Sequence, residues 1–139
     1  MSGSEDCLFC GIVAGTVPGQ IVDSDQHTVS FMDINPATPG HALVVPRRHS
    51  ADLIEIEDAD LGHTMLAARR LARRMEEVLE PDGFNILNSC RPAGWQTVFH
   101  FHLHVIPRYD DDPLKLPWIP RGGEAAAVAE IADRLREDD

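Results

Sequence analysis

The stretch Val98-Phe99-His100-Phe101-His102-Leu103-His104-Val105-Ile106 alternates with a period of two over nine residues. That period predicts a β-strand with Val98, His100, His102, His104 and Ile106 on one face and Phe99, Phe101, Leu103 and Val105 on the other, an apolar set suited to packing on a helix. A one-residue slip would exchange the two faces, so the register is strongly specified. A lone histidine reads as a side chain with its hydrogen bonds satisfied. Three in strict alternation stack titratable rings on one side, an arrangement that costs electrostatic energy when more than one is charged and calls for a ligand or a reaction to offset it. At about 3.3 Å per residue the backbones of His100 and His104 lie about 13 Å apart, whereas Zn–N bonds are about 2 Å, so the three rings cannot share one ion. At least one imidazole is left free. With an ordinary pKa of about 6.5 it is a nucleophile and proton carrier at neutral pH, suited to attack on phosphorus.

Outward from this run, the longest helix spans about Asp60 to Glu80, where Leu61, Met65, Ala68, Leu71, Ala72, Met75, Val78 and Leu79 recur at helical spacing. Arg69, Arg70, Arg73 and Arg74 fall largely outside that stripe and read as a solvated face. Asp58 or Asp60 is placed to cap the start, and Pro81-Asp82-Gly83 ends it. Strand signals cover Thr28 to Met32, His41 to Val45, Phe84 to Asn88 and Val98 to Ile106. The short Asn35–Gly40 connection suits a hairpin. A second helix, about Gly123 to Arg136, carries Val128, Ile131 and Leu135 on one side. Strands grouped around a long helix predict an α+β fold: an antiparallel sheet of about five strands, one central helix and a C-terminal helix.

The 139 residues, 43% of them hydrophobic, suit a single domain over 1–139 with no linker or repeat. A polar, acidic start and the lack of a long apolar run predict neither secretion nor membrane insertion. Three cysteines, two of them in Cys7-Leu8-Phe9-Cys10, read as reduced thiols or metal ligands in a cytoplasmic protein. A net charge of -11 disfavours polynucleotide binding, which rests on broad basic surfaces, but leaves room for a small anion held by local donors. Asp110-Asp111-Asp112 and the acidic C-terminal end read as solvated segments.

His100-Phe101-His102-Leu103-His104-Val105-Ile106, with Gln96-Thr97-Val98 before it and Pro107-Arg108 after it, resembles the signature of the histidine triad (HIT) superfamily of nucleotide hydrolases and transferases. The likeness extends to Phe31-Met32-Asp33-Ile34, to Pro39-Gly40-His41-Ala42-Leu43-Val44-Val45-Pro46 and to Arg47-Arg48-His49, covering Cys7 to Arg108. It implies that His102 attacks the α-phosphorus of a purine nucleotide derivative, an AMP or GMP phosphoramidate or a dinucleoside polyphosphate, and that water then releases the monophosphate. By the same resemblance His104 and His41 contact the phosphoryl group, and Gln96 and Thr97 hold phosphate oxygen or the leaving group. Asn88 is a further phosphate-side candidate, Asp33 accepts ribose hydroxyls, and Leu8, Phe9, Ile12, Phe31 and Ile34 line the base pocket. A homodimer with continuous sheets is also implied. Trp95 departs from the family pattern, which more often has glycine there, and its indole is expected toward the leaving-group side. His27 and His63 match no motif position and read as surface residues; Cys90 reads as packing.

The Cys7-x-x-Cys10 pair lacks the preceding strand of a redox motif and supplies only two of the four ligands of a structural zinc site. Relatives with this pair complete the set with the histidines equivalent to His49 and His100, so the resemblance implies structural zinc on Cys7, Cys10, His49 and His100 and no catalytic metal. Two other readings remain at this level: a metal-dependent hydrolase with the triad as ligands, and a nucleotide-binding module without turnover.

Overall fold

The computed structural model describes residues 6–137. The extreme N-terminal residues, and Asp138 and Asp139 of the acidic end, lie outside that range. Helix α1 (Leu8–Ala14) is followed by strands β1 (Ile21–Ser24), β2 (Thr28–Met32) and β3 (Ala42–Pro46). Helix α2 (Asp58–Leu79) leads to β4 (Gly83–Leu87), β5 (Leu103–Arg108) and α3 (Ala125–Arg136). The sheet order is β1-β2-β3-β5-β4, antiparallel at every pairing. This is the expected α+β architecture.

β2 and β3 form the expected hairpin, paired from Thr28 with Pro46 to Met32 with Ala42. Its loop depends on Gly40, whose φ is +98° and where a Cβ would stand 2.6 Å from Leu79 Cδ1. Only glycine satisfies both the left-handed backbone and the close approach of α2. No helix among the described residues is long and apolar enough to cross a membrane.

The sheet separates two apolar layers. On one face Ala67, Ala68, Leu71 and Met75 of α2 meet Ala42, Val44, Phe101, Leu103 and Val105. On the other, Phe9 and Ile12 of α1 meet Val29, Phe31, Leu43 and Val45. The alternation in β2, β3 and β5 thus feeds two cores, and even the polar positions facing a core are buried. α2's covered stripe includes Thr64 and Ala67 and leaves Met65, Val78 and Leu79 exposed, because the helix turns its small side chains toward the sheet. The arginine face is exposed as expected. Neither Asp58 nor Asp60 caps α2: the N-cap is Glu57, without a side-chain bond, and Asp60 is buried against Arg48.

The histidine run is strand only in its second half. β5 begins at Leu103, while over 98–102 the chain bends off the ladder: the Phe101 N–H donates to Ser50 O and His100 Nε2 lies 2.8 Å from Pro46 O. Phe99 consequently leaves the apolar layer and is 48% exposed. His27 and His63 are half-buried rather than free on the surface, stacked with centroids 3.8 Å apart and planes 6° from parallel. α3 presents Val128, Ile131 and Leu135 uncovered. Cys90 is a half-buried free thiol.

Candidate functional site

The N-terminus of α1 and the first half of the histidine run build a metal-competent corner. Cys7 is the N-cap of α1, its Sγ accepting from the Cys10 N–H at 3.4 Å. The turn aims both thiols at His100 Nδ1, 3.4 Å from each, and puts Cys10 Sγ 3.3 Å from His49 Nδ1. Two nitrogens and two sulfurs at such separations match a tetrahedral shell, where ligands held at about 2.0–2.3 Å from zinc stand roughly 3.3–3.8 Å from one another. His100 Nε2 faces the Pro46 carbonyl, which can only accept, so Nε2 carries the proton and Nδ1 is free to ligate. Burial, then the neighbouring Cys7, push the Cys10 thiol up to about 11, so a metal would have to displace its proton. The donor set fits zinc.

Two residues further on, His102 is oriented by the same logic with the opposite outcome. Its Nδ1 lies 2.7 Å from the His100 carbonyl oxygen, so Nδ1 is the protonated nitrogen and Nε2 holds the lone pair. Burial pushes its pKa below the ordinary histidine value, partly offset by the bond to His100 and by the Asp33 charge. Asn88 Nδ2 donates to the His102 carbonyl at 2.9 Å and so fixes the backbone carrying this ring.

A third chain of bonds sets His104. The Ala37 N–H, which can only donate, bonds His41 Nδ1 at 2.9 Å. His41 must therefore present Nε2–H, which lies 2.9 Å from His104 Nδ1 and 3.4 Å from Asp33 Oδ2. His104 then carries its own proton on Nε2. Burial, followed by the neighbouring His102 and His41, lowers its pKa to about 4; burial likewise lowers that of His41. Both are neutral near pH 7.

His102 and His104 open on a cavity of about 430 Å3, within the roughly 300–1,000 Å3 range of small-molecule sites. Leu8, Phe9, Ile12, Phe31 and Ile34 line it together with Asp33, Thr97, His102 and His104, so the apolar wall, the acid and two members of the triad converge. Val17, Pro18, Met32, Leu43 and Val98, absent from the expected set, complete the wall. Phe9 and Phe31 are also core, whereas Ile34 is 86% exposed at the rim. Asp33 Oδ1 accepts the Asn35 N–H at 2.8 Å, leaving lone pairs for further donors.

Gln96 differs from expectation. It is buried, its Nε2 donates to Ala51 O and Val98 O, and its Oε1 accepts the Arg91 N–H at 2.6 Å. With those groups committed to backbone it shapes the loop and does not line the cavity. Trp95 is likewise outside the lining and 66% exposed, at φ +77°. Arg91 also has positive φ, +70°, and is held by Gln96 and by an Arg91 Nε–Asp52 Oδ2 contact of 3.2 Å.

The HIT domain model matches residues 14–111. This chain is a member of the HIT family. The protein named hit of Bacillus subtilis is 39% identical over 109 residues, covering 78% of this chain and 75% of that one. A zinc-bound histidine triad family protein from Mycobacterium smegmatis superposes with a TM-score of 0.78 at 36% identity, covering 95% of this chain and 99% of its own. A histidine triad nucleotide-binding protein from Candida albicans gives 0.82 at 27% identity, covering 94% of each chain. The HIT fold thus spans nearly the whole of this chain.

Proposed function

We propose that this HIT protein hydrolyses a purine nucleotide derivative at its α-phosphate, releasing the nucleoside monophosphate through a nucleotidyl-His102 intermediate. The observation that carries this reading is the orientation of His102, whose Nδ1–H faces the His100 carbonyl while Nε2 holds a lone pair on a ring lining the cavity. Attack by Nε2 on phosphorus forms the N–P bond and breaks the bond to an amine or polyphosphate leaving group. Water then attacks the same phosphorus, losing a proton to bulk solvent as the electron pair of the N–P bond returns to Nε2. His104, its ring centroid 5.1 Å from that of His102, presents an Nε2–H set by the Ala37–His41–His104 relay. As a neutral imidazole it is suited to hydrogen-bond the charge developing on a phosphoryl oxygen. The apolar wall receives the base, Asp33 the ribose hydroxyls, and Thr97 belongs to the phosphate side, while Asn88, expected there too, lies outside the lining and supports the His102 backbone instead. A homodimer remains part of this reading by family.

Zinc held by Cys7, Cys10, His49 and His100 would supply structural cross-linking of α1 to the end of β3 and to the run before β5. Asp33, His41 and His104 also bring three ligand-type atoms within 4.8 Å of one another, which favours a second reading, a catalytic metal. The relay weighs against it: a cation on His41 Nε2 would displace the proton that the Ala37 N–H requires there.

His102→Asn keeps the size and polarity of the ring but removes the nucleophile. With adenosine phosphoramidate and diadenosine polyphosphate as substrates, turnover should fall at least about a thousandfold while AMP still binds. Mass spectrometry of the quenched wild-type protein should reveal a nucleotidyl adduct that the variant lacks. Wild-type turnover by His102→Asn would overturn the assignment, and activity lost to chelator with the fold intact would favour the metal reading.

A further inference from the structure

Helix α1 serves two sites at once. Leu8 and Phe9, which line the cavity, lie between the two cysteines of the metal corner, and Ile12 follows on the next turn. The helix is only 7 residues long, and so short a helix has little stability of its own. It is held by the burial of Phe9 and Ile12 and by the two sulfur atoms at its start. Gly11 lets the chain fold straight back on it, since a Cβ there would collide with Val17 Cγ2, and Val17 is itself a wall residue.

The corner also reaches the candidate nucleophile by two routes. His100 offers Nδ1 to the thiols while its carbonyl takes the His102 Nδ1–H. The Phe9 ring stands edge-on to His102, with centroids 5.0 Å apart and planes at 90°, and touches Phe31 at 5.2 Å.

We propose that the metal corner and the nucleotide cavity are thermodynamically coupled: metal bound by Cys7, Cys10, His49 and His100 raises the affinity of the cavity for a nucleoside monophosphate, with Phe9 as the positioning residue that links them. This rests on the nucleotide reading above. Neither ligand touches the other. Ordering α1 is a cost shared between them, so whichever binds first removes it for the second. Reciprocity then requires AMP to tighten the metal by the same factor. A purely structural staple would raise the melting temperature without changing the affinity of folded protein for AMP.

The test uses the full chain with AMP, which is not turned over, and Zn2+. AMP affinity is measured by calorimetry on zinc-loaded and zinc-stripped protein at a temperature where near-UV circular dichroism reports both as folded. Zinc affinity is measured by chelator competition with and without saturating AMP, which keeps the test available if stripped protein unfolds. The expected result is AMP binding at least about fivefold tighter to the loaded form and the same factor in zinc affinity, the low end of known couplings. Phe9→Leu should keep one zinc per chain and, whatever it does to AMP affinity itself, shrink the factor by which zinc tightens AMP. AMP affinity equal in both folded forms, or zinc affinity unmoved by AMP, would overturn the coupling and leave the nucleotide reading intact. AMP binding to neither form would overturn the nucleotide reading itself, and the coupling with it.

Discussion

His100 and His104 belong to one alternating run and meet opposite fates. His100 is fully buried with both ring nitrogens engaged, Nε2 by the Pro46 carbonyl and Nδ1 by two thiols. His104 is half-buried, and its Nδ1 accepts from His41, which leaves its Nε2–H for whatever enters the cavity. His102 between them has one nitrogen engaged and one free. The residue type is constant; the partner of one nitrogen decides which nitrogen carries the proton and which keeps the lone pair. A backbone carbonyl against Nδ1 leaves the lone pair on Nε2, and one against Nε2 leaves it on Nδ1.

The sharpest way to break this contrast is to truncate its buried end. His100→Ala would leave a void, two thiols without their imidazole and a buried carbonyl without its donor. Each is a recognised source of large destabilisation, and together they should cost about 3 kcal/mol or more. Zinc content should fall well below one per chain. His104→Ala should retain both zinc and most of the stability while losing turnover. Urea titration with metal analysis checks the pair; His100→Ala with wild-type zinc and midpoint would show that the two rings are not differently employed.

A smaller effect follows from protonation at the open end. In the folded protein His104 is held neutral down to about pH 4, by burial first and then by His102 and His41, whereas in the unfolded chain it titrates near 6.5. Between those values the unfolded state binds more protons, so the stability contributed by neutral His104 is whole above about pH 6.5 and is lost as pH falls toward 4. NMR of the histidine rings should find His104 unchanged from pH 8 to 5.5. His104→Gln should lose less stability than wild type across the acid window. A His104 resonance titrating at its ordinary value would remove the asymmetry between relay and solvent.

The parts of this molecule that sequence made legible are those with a repeating physical cause. Period two exposed the shared side of His100, His102 and His104, helical spacing exposed α2, and turn chemistry exposed the β2–β3 hairpin. The metal corner and the wall of Leu8, Phe9 and Phe31 came with the family resemblance, and the structure brings each of those groups together. What stayed hidden has no period to read. α1 is too short for a helical signal; its cues are the capping Cys7 and the left-handed Gly15 at its end. The bend before Leu103 arises because Ser50 and Pro46 capture the chain through tertiary bonds that no local pattern encodes. Gln96 turns inward for the same reason: three backbone groups, two of them within five residues but one at Ala51, compete for its amide.

The smallest expected effect lies in the loop that leads into the run, and it asks whether that loop owes its shape to the side chain of Trp95. The indole is 66% exposed, so little packing is at stake, but the backbone sits at φ +77° and ψ +16°, where a side chain costs about 1–2 kcal/mol that glycine avoids. Trp95→Ala keeps the strain and loses what contact the ring makes. Trp95→Gly removes the strain but makes the unfolded chain freer, which offsets part of the gain. Glycine should therefore be more stable than alanine by about 1 kcal/mol and within about 0.5 kcal/mol of tryptophan, with zinc content unchanged in both. If glycine and alanine proved equally stable, the left-handed conformation of residue 95, closed by the Trp95 N–H bond to Pro92 O, would not be held in solution.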